Sequence, residues 1–579
     1  MRSLWLVLMV LGIATVAVSA TSTRLAVAFD MSPPLSSMEQ FIPGKQVEIH
    51  QAVESRAERQ GALKGPGTGL GATAPAAPSG QGGGAARGGR AGRTGTPLPI
   101  PLPPLAPQIG AAGAAVEQTT QGKRAAIAVL DSFDGLGEGL AGGRGGIDIS
   151  LAAGPDHLFE ILNGNMAVFS KKGKKYPATG KLLYGAVPNN TVFGGFGVRC
   201  GVSNNSDSVV RYDQLADRWL IVVPVFSRPP DNPQGPYAMC YAVSATPDPL
   251  RPYYRYEFQR PLFPDYPRPA IWPDGYYNPT STSDNLLPEV ITQKHDCIAD
   301  RNKMLKGLPA TEQCVVIDGG VFMLNADVDG KRLPPPGAPN IMMSTGGTQL
   351  MKIFEDDGIY FYKVHVDWTD VSKTTVSAPQ KIAVAPYHYL CDGQLSNCVS
   401  QPGTERRLDS QGDKLIQRLV YRNFGDHESI LAEHSVATAA LGGGVRWYEF
   451  RLNKQRNPVL YQQSTYAPGG SYRWLGSMAM DRKGNIGMGY SFGGDPAYPG
   501  QRFAARLAND PKGQLTFHES VLAEGQASQM GSLRWEDYTN ITMDPSDDCT
   551  FWFVGNYLKS GATSSTTRIG SFAVPGCKR

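Results

Sequence analysis

The sequence predicts an all-β fold in which small antiparallel sheets stand side by side in a ring, a β-propeller of six or seven blades. Roughly twenty short apolar or alternating runs follow residue 124, separated by Gly, Pro, Asn and Asp, as strands between tight turns should be. No convincing amphipathic helix of ordinary length interrupts them. A recurring segment sets the repeating unit, and about four strands per blade give six or seven blades.

The recurring segment consists of a leading residue, an apolar strand and a tight turn. Four copies begin on an acid, and the fifth begins on Arg-Trp. Since the innermost strand of every propeller blade starts at the same end of the central channel, these leading residues are expected around one opening. The five segments start at Asp207, Asp265, Asp426, Asp537 and Arg473.

A second set of aspartates opens the turns that follow these and similar strands. Asp and Asn side chains bond nearby backbone amides and thereby stabilise tight turns. We therefore assign these turn acids to folding, as hairpin turns between the first two strands of a blade. They are Asp213, Asp274, Asp481 and Asp544.

Residues 1–20 are typical of a secretory signal peptide. Arg2 supplies the positive charge, residues 4–18 form an apolar run that is short for a membrane span, and residues 18–20 are a small-residue cleavage site. The alternative is an uncleaved membrane anchor. We expect cleavage after Ala20 and a secreted protein, in the extracellular space, in the periplasm or at the cell surface, with no membrane span left.

Three further segments are predicted after the signal. Residues 21–59 form a leader with a short exposed helix at 47–59. Residues 60–123 are a low-complexity linker rich in Gly, Ala, Pro and Arg, which cannot bury enough apolar surface to fold and is expected to be disordered. The linker arginines either touch anionic envelope polymers or belong to a solvated spacer. The propeller occupies residues 124–579.

The charge distribution argues against nucleic acid as a partner. The chain carries a net charge of +4, but residues 1–124 hold 11 Lys and Arg against 6 Asp and Glu. Residues 125–579 hold 44 against 45 and are therefore balanced. A nucleic-acid-binding domain should carry a basic stripe on its folded part.

The eight cysteines fit export, because an even count in an exported chain suggests disulfides. Many pairings are open to eight cysteines, and proximity in sequence selects one set. Pairing of residues 127–130 with 569–574 in one blade would close the ring. The suggested disulfides are Cys200–Cys240, Cys297–Cys314, Cys391–Cys398 and Cys549–Cys577.

From about residue 131 to the C-terminus, the chain resembles a group of exported bacterial proteins with a sialidase-like β-propeller, most of them uncharacterised. The resemblance implies a propeller and little about activity. Sialidases themselves share an Arg-Ile-Pro element and Asp boxes of the form Ser-x-Asp-x-Gly-x-Thr-Trp, and this sequence has neither. The matching segments are DSFDGLGEG (131–139), YDQLADRW (212–219), RNFGDHESILAEHS (422–435), VRWYEFR (445–451), YRWLGSMAMDRKGNIGMGYS (472–491) and RWEDYTNITMDPSDDCTFW (534–552).

The leading residues and their neighbours are the candidate binding site at the channel rim. Arginine holds carboxylate or sulfate through two parallel hydrogen bonds, and Tyr and Trp faces stack on sugar rings. The alternative is that the acids cap strand ends and bond the next blade. The candidates are Asp207, Asp265, Asp426, His427, Arg473, Trp474, Arg534, Trp535, Asp537 and Tyr538.

These residues support two hypotheses for function. The first is a monomeric secreted propeller that binds an extracellular glycan or protein at one end of its channel. The second is a hydrolase or lyase that acts on acidic carbohydrate, with rim Asp and Arg residues as its machinery. No residue is assigned a catalytic role by the sequence.

A short acidic stretch is a weak candidate for calcium. Asn325, Asp327 and Asp329 are spaced like the start of an EF-hand loop, but Pro336 stands where the loop requires an acid. A partial calcium site and an Asx-rich turn are both open. No other cofactor is suggested.

Overall fold

The computed structural model describes residues 21–38, 109–140 and 145–578, apart from 198, 206, 230, 234, 281–292, 319–321, 347–357 and 394–396. The expected signal peptide, the expected helix at 47–59 and most of the linker lie outside the described residues. Strands hold 48% of the described residues and helices 6%, which confirms the all-β prediction. No helix among the described residues is long and apolar enough to cross a membrane.

The helices are single turns in connecting segments. The α-helical turns are α1 Ala111–Ala114, α2 Arg199–Val202 and α3 Arg301–Met304. The 3-10 turns are Leu35–Ser37, Asn189–Phe193, Val371–Lys373 and Leu390–Asp392.

Four strands precede the main sheets: β1 Thr21–Leu25, β2 Ala28–Met31, β3 Glu117–Gln118 and β4 Asp131–Gly137. Seven antiparallel units then follow one another through the described part of the chain. Unit 1 is β5 Ser150–Ala153, β6 His157–Leu162, β7 Asn165–Ser170 and β8 Leu182–Pro188. Unit 2 is β9 Val209–Asp213, β10 Arg218–Val225, β11 Tyr237–Ser244 and β12 Tyr253–Arg260. Unit 3 is β13 Ala270–Trp272, β14 Gly275–Thr280, β15 Gln293–Ala299 and β16 Thr311–Asp318.

Unit 4 is β17 Leu324–Val328, β18 Asn340–Thr345 and β19 Ile359–His365, with β20 Thr375–Val376 and β21 Gln380–Ile382 both on β19. A separate hairpin follows, β22 Asn397–Gln401 and β23 Thr404–Asp409. Unit 5 is β24 Leu419–Asn423, β25 Glu428–Ala437, β26 Gly443–Leu452 and β27 Pro458–Tyr466. Unit 6 is β28 Tyr472–Met480, β29 Ile486–Gly494, β30 Ala497–Arg506 and β31 Ser520–Ala523. Unit 7 is β32 Asn540–Met543, β33 Thr550–Tyr557 and β34 Thr566–Ala573, completed by β4.

The core lies in layers between the faces of neighbouring units. In β10, Trp219 and Ile221 pack against unit 1, while Leu220 and Val222 pack towards unit 3. Both faces of this strand are buried, which explains why its sequence is a continuous apolar run instead of an alternating one. A further layer joins unit 7 to unit 1 through Trp552 and its neighbours.

Hydrogen bonds between side chains and backbone link successive units at the strands nearest the channel. Units 4 and 5 are the exception, because they are joined by parallel pairing of β17 with β24. Units 2 and 3 are joined by a hydrogen bond from Arg211 Nε to the Pro269 carbonyl, 3.2 Å. Each bond satisfies a buried backbone group at a junction. The others run from Val210 N to Ser150 Oγ (3.1 Å), Ile271 N to Asp327 Oδ1 (2.8 Å), Leu475 N to Ser435 Oγ (2.9 Å), Ile541 N to Ser477 Oγ (2.9 Å) and Leu151 N to Asn540 Oδ1 (2.8 Å).

The N-terminal segments add strands to the outer edges of the units. β1 pairs with β16 of unit 3, and β2 pairs with β12 of unit 2. β3 runs parallel to β27, and β4 closes unit 7 against β34. Residues 21–38 and 109–123, which the sequence assigns to leader and linker, therefore contribute strands, because the outermost strands offer backbone groups for pairing. The closing pair uses residues 131–137, slightly later than the sequence suggests.

The described residues contain four disulfides, and they are the same four pairs that proximity in sequence selects. Their Cα–Cα distances are 4.0 to 5.8 Å. No cysteine among the described residues is free.

Candidate functional site

The first strands of several units are preceded by a residue with a left-handed backbone. Non-glycine residues rarely adopt positive φ, and such conformations persist where the surroundings hold them in place. All these turns lie at the end of the channel where the first strands begin, called the leading end below. The residues are Asp148 (φ 61°), Asp207 (64°), Tyr266 (54°), Phe322 (47°) and Asp537 (61°).

Hydrogen bonds join the leading segments of units 7, 1, 2 and 3 into one chain. The backbone N–H of Asp148 donates to the Glu536 carbonyl, 2.8 Å. The Asp148 carboxyl Oδ2 accepts from the backbone N–H of Asp207, 3.4 Å, and from Asn163 Nδ2, 3.1 Å. Asp207 Oδ2 accepts in turn from the backbone N–H of Tyr266, 3.1 Å. The strained backbone thus brings acids from separate units together.

Burial and neighbouring charges favour the neutral form of the Asp148 carboxyl group. Burial raises its pKa well above the ordinary value, and the neighbouring charges of Asp207 and Asp537 raise it further. The arginines Arg534 and Arg268 oppose this shift without cancelling it. Its Oδ1 atom is buried and has no hydrogen-bond partner among the described residues. Asp148 is therefore a buried acid with a raised pKa and one oxygen that has no partner among the described residues.

Two arginines face these acids in different states. Arg534 forms an ion pair with Asp537 and a second one with Asp409, from Nε to Oδ2, 3.0 Å. Arg268 has no carboxylate partner among the described residues. Its guanidinium carbon lies 3.1 Å from the ring centre of Tyr266 and 4.1 Å from that of Tyr538. Only Nη1 has a hydrogen-bond acceptor, the Pro267 carbonyl at 2.6 Å, and Nε and Nη2 have none.

A cap segment, residues 387–393 and 397–418, packs over this cluster. It contains the β22–β23 hairpin and buries Leu408 and Ile416 against Trp535 and Tyr538. Lys414 of the cap donates to Gln411 Oε1, 2.6 Å, and Gln411 Nε2 donates to Asp537 Oδ1, 3.1 Å. The acids consequently lie beneath the surface: Asp207 and Asp537 are each 6% exposed.

We call this set the leading-end cluster: Asp148, Asp207, Tyr266, Arg268, Arg534, Asp537 and Tyr538. Of the residues that the sequence predicts for the rim, Asp207, Arg534, Asp537 and Tyr538 belong to it. Trp535 and Trp474 pack beside it with ring centres 6.3 Å apart. Asp265 is partly exposed and accepts from the backbone N–H of Tyr266, 2.9 Å. The carboxylates, guanidinium groups and aromatic rings that the sequence places together do meet, but as a buried cluster.

The prediction for Asp426 and His427 is wrong, because both lie at the opposite end of the channel. Their segment is the second strand of unit 5, β25, and not the first. The preceding strand β24 has an equally apolar sequence, so the sequence pattern alone does not show which of the two strands is the first of unit 5. The Asp426 side chain is 82% exposed and contacts His427 Nδ1, 2.9 Å.

Arg473 is also wrong as a rim residue. It lies at the start of β28, before the irregularity in the pairing with β29 between Trp474 and Ser477. Its guanidinium Nε forms an ion pair with Glu519 Oε2, 2.7 Å, just before the outermost strand of unit 6. The side chain is buried between outer strands, away from the leading-end cluster.

The calcium candidates lie on an inner strand instead of a loop. Asp327 and Asp329 belong to β17 and the turn after it, and both pair with Arg418, at 3.1 and 2.6 Å. The amide of Asn325 donates to Asp296 Oδ2, 2.8 Å. Because arginine already occupies the carboxylates, their arrangement favours an ion-pair network over a cation site.

Another group in the described part of the chain has metal-ligand spacing, Cys297, Glu312 and Cys314. Its two cysteines form a disulfide, so they offer no thiolate to a metal.

The turn acids behave as predicted for tight turns. Asp481 Oδ1 accepts from the backbone N–H groups of Lys483 and Asn485, 2.8 and 3.0 Å. Asp213 accepts from two backbone N–H groups of its own turn and is also paired with Arg301 Nε, 2.7 Å. These carboxylates shape the opposite end of the channel, called the turn end below.

Sequence reasoning missed Asp148, Arg268 and Lys414. Asp148 carried a usable signal, since Asp148-ISLAAGP-Asp156 has the same leading acid, apolar strand and turn acid as the other copies. Arg268 stands inside a recognised segment, between two prolines, and nothing in its spacing shows that it is unpaired. Lys414 belongs to the cap, which lies outside the repeat.

The comparisons with known proteins yield only distant likenesses. No protein-family model and no curated protein matches the chain. The extracellular domains 1–2 of Drosophila semaphorin 1b are 10% identical over 79% of this chain and 88% of that one, with a TM-score of 0.32. An exo-1,5-α-L-arabinanase from a bovine ruminal metagenomic library is 12% identical over 55% and 97%, with a TM-score of 0.25.

A subtype N10 neuraminidase-like protein of A/little yellow-shouldered bat/Guatemala is 8% identical over 63% of this chain and 96% of that one, with a TM-score of 0.28. Identities and TM-scores this low support no conclusion about what this chain does.

Proposed function

We propose that the chain is an exported, monomeric, seven-bladed β-propeller that binds an acidic extracellular glycan at its leading end. Seven units linked in sequence, with the last bonded to the first through Asn540 and Leu151, support the blade number. Closure by a strand from before unit 1 supports the ring. Four disulfides suit an oxidising compartment.

The unpaired state of Arg268 carries the binding proposal. A buried guanidinium group is costly unless it is paired, and its two free donor nitrogens match the planar oxygens of a carboxylate or sulfate. The side chain of Arg534 is 21% exposed, so this edge of the cluster reaches solvent. An acidic sugar reaching past Arg534 would give Arg268 the carboxylate or sulfate contact that no described residue makes. A glycan is preferred to a protein segment because the cluster is narrow and buried.

Binding of acidic oligosaccharides by calorimetry tests the proposal. Arg268→Gln should weaken the binding of uronate-containing oligosaccharides at least tenfold, about 1.4 kcal/mol. The control Arg124→Gln changes an exposed arginine that also pairs with an aspartate but lies outside both proposed sites, and it should leave binding unaltered. Melting temperatures of both variants check the fold. Unaltered binding in Arg268→Gln, or no binding of any acidic oligosaccharide by the native chain, contradicts the proposal.

The second candidate is a hydrolase acting on acidic carbohydrate, and the raised pKa of Asp148 beside Asp207 favours it. Asp148 would give its proton to the glycosidic oxygen, and Asp207 would activate water or attack the sugar carbon. In the same samples, released sugar ends are measured with the native chain and with Asp148→Asn. Hydrolysis that disappears in Asp148→Asn while binding persists supports the enzyme. Binding without any product from the native chain rejects it.

A further inference from the structure

The turn end of the channel contains a cavity of about 790 Å³, distinct from the leading-end cluster. Turns from units 1, 2, 4 and 7 line it, represented by Asp156, Asp217, Lys331 and Asp547. Its volume lies within the range of ordinary ligand sites. A smaller cavity of about 440 Å³ shares Asp156 with it and continues outward between units 1 and 2. Together the two cavities form a groove that leads from the channel mouth to the side of the molecule.

The carboxylates in the wall already have partners. Asp544 accepts from Lys171 Nζ, 2.7 Å, and from the Trp552 indole N–H, 3.1 Å. Asp547 accepts from two backbone N–H groups of its turn, both at 2.9 Å, and pairs with Lys578 Nζ, 3.1 Å. These hydrogen bonds stabilise the turns, so the two aspartates have a structural role.

The other acids of the wall are bonded in the same way. Asp217 accepts from the Tyr212 hydroxyl, 3.3 Å, and Asp156 accepts from the Lys175 backbone N–H, 3.2 Å. Farther along the groove, the Lys175 amino group pairs with Asp248, 2.8 Å.

Three lysines of the wall differ from these groups. Lys172 and Lys174 stand in the loop between β7 and β8, and Lys331 stands in the turn after β17. All three are exposed, and no described residue forms an ion pair or hydrogen bond with their amino groups. Units 1 and 4 thus direct three amino groups without an ion-pair partner to one cavity, whose wall holds five lysines and five aspartates in all. The groups left free for a ligand are cationic donors.

We propose that the turn-end cavity is a second binding site, which takes the anionic groups of an acidic polysaccharide through Lys172, Lys174 and Lys331. Three neighbouring amino groups without partners offer a polyanion three separate charge-assisted hydrogen bonds. The groove between units 1 and 2 gives a chain-like ligand a path out of the cavity. Carboxylate and sulfate groups share the required chemistry, and the two are separated by the choice of polymer. The site is independent of the proposed function at the leading end.

The test compares two triple variants of the full chain by affinity for immobilised polymers at low salt. The variant Lys172→Gln, Lys174→Gln, Lys331→Gln removes the proposed cations. The control Lys303→Gln, Lys373→Gln, Lys454→Gln removes the same charge from exposed lysines outside the cavity. The polymers are heparin for sulfate, polygalacturonate for carboxylate, and double-stranded DNA as a different class of polyanion.

We expect the first triple variant to lose at least tenfold in affinity for heparin, polygalacturonate or both, and the control to change less than twofold. Binding of the native chain should weaken as salt rises, because exposed charges are screened. Melting temperatures should stay unaltered in both variants. Equal losses in the two variants, no binding of either polysaccharide, or equally tight binding of DNA would each overturn the proposal. The triple variant made in an Arg268→Gln background should show the same tenfold loss, which separates the cavity from the leading end.

Discussion

Buried acids in this chain differ in what surrounds them. The carboxylate of Asp481 accepts bonds from two backbone N–H groups and from the Asn485 amide, so its turn is held by hydrogen bonds to both of its oxygens. Glu160 in unit 1 accepts from the Leu136 N–H at 2.7 Å, while its other oxygen has no partner among the described residues. Burial therefore dominates and raises the pKa of Glu160 to about 7. Asp481 stabilises its turn through hydrogen bonds, whereas burial favours the protonated form of Glu160.

Glu160→Gln should reduce the loss of stability as pH rises. A pKa that is higher in the folded than in the unfolded chain stabilises the fold below about pH 4.5, and this contribution is lost as pH rises through about 7. Glutamine does not ionise. Between about pH 4.5 and 7, the free energy of unfolding of the variant should therefore rise relative to that of the native chain by about 1.4 kcal/mol per pH unit. Urea unfolding at several pH values measures the gap. Parallel pH profiles for the two chains contradict the prediction, and the exposed Glu405→Gln serves as control.

At the scale of elements, the repeat could be predicted because every first strand follows the same pattern of leading residue, apolar run and turn acid. For this reason the pattern predicts Asp207 and Asp537 at the leading end, where the structure has them. The pattern failed at Asp426, where two consecutive strands are both apolar and only pairing decides which is first. The convergence of Arg268 with Tyr538 could not be predicted, since it depends on how units 3 and 7 meet across the channel. The cap was missed because its hairpin follows no repeat.

Each junction between units contains few hydrogen bonds between first strands. At the junction between units 7 and 1, the loss of one such bond should lower the free energy of unfolding. Asn540→Ala removes the acceptor of the buried Leu151 N–H and should cost about 1–3 kcal/mol of unfolding free energy. Asn302→Ala changes an exposed asparagine with no described side-chain bond and is the matched control. Chemical unfolding measures both. A loss no larger than that of the control would show that strand β4 and the packed layer around Trp552 hold units 7 and 1 together without this bond.

At the scale of the whole molecule, residues 21–38 act as a strap across the outer edges of two units. β1 lies on unit 3 and β2 on unit 2, and Asp30 forms a two-bond ion pair with Arg255, 2.8 and 2.7 Å. Cleavage after residue 20, as the sequence predicts, would leave Thr21 as both the first residue of the chain and the first residue of β1. The strap covers strand edges that would otherwise be free to pair with other chains.

Leu35 fixes the end of this strap, because it is fully buried in the layer between units 1 and 2. Leu35→Ala should cost about 2–5 kcal/mol locally, enough to release the strap while the seven units keep their own junctions. Limited proteolysis should then cut within residues 21–38 much faster than in the native chain, and the remaining fragment should stay intact. Ser36→Ala changes the exposed neighbour and should be cut at the native rate. Equal rates for the two variants would show that β1 and β2 hold the strap without Leu35, and general degradation of Leu35→Ala would show that the strap supports the whole ring.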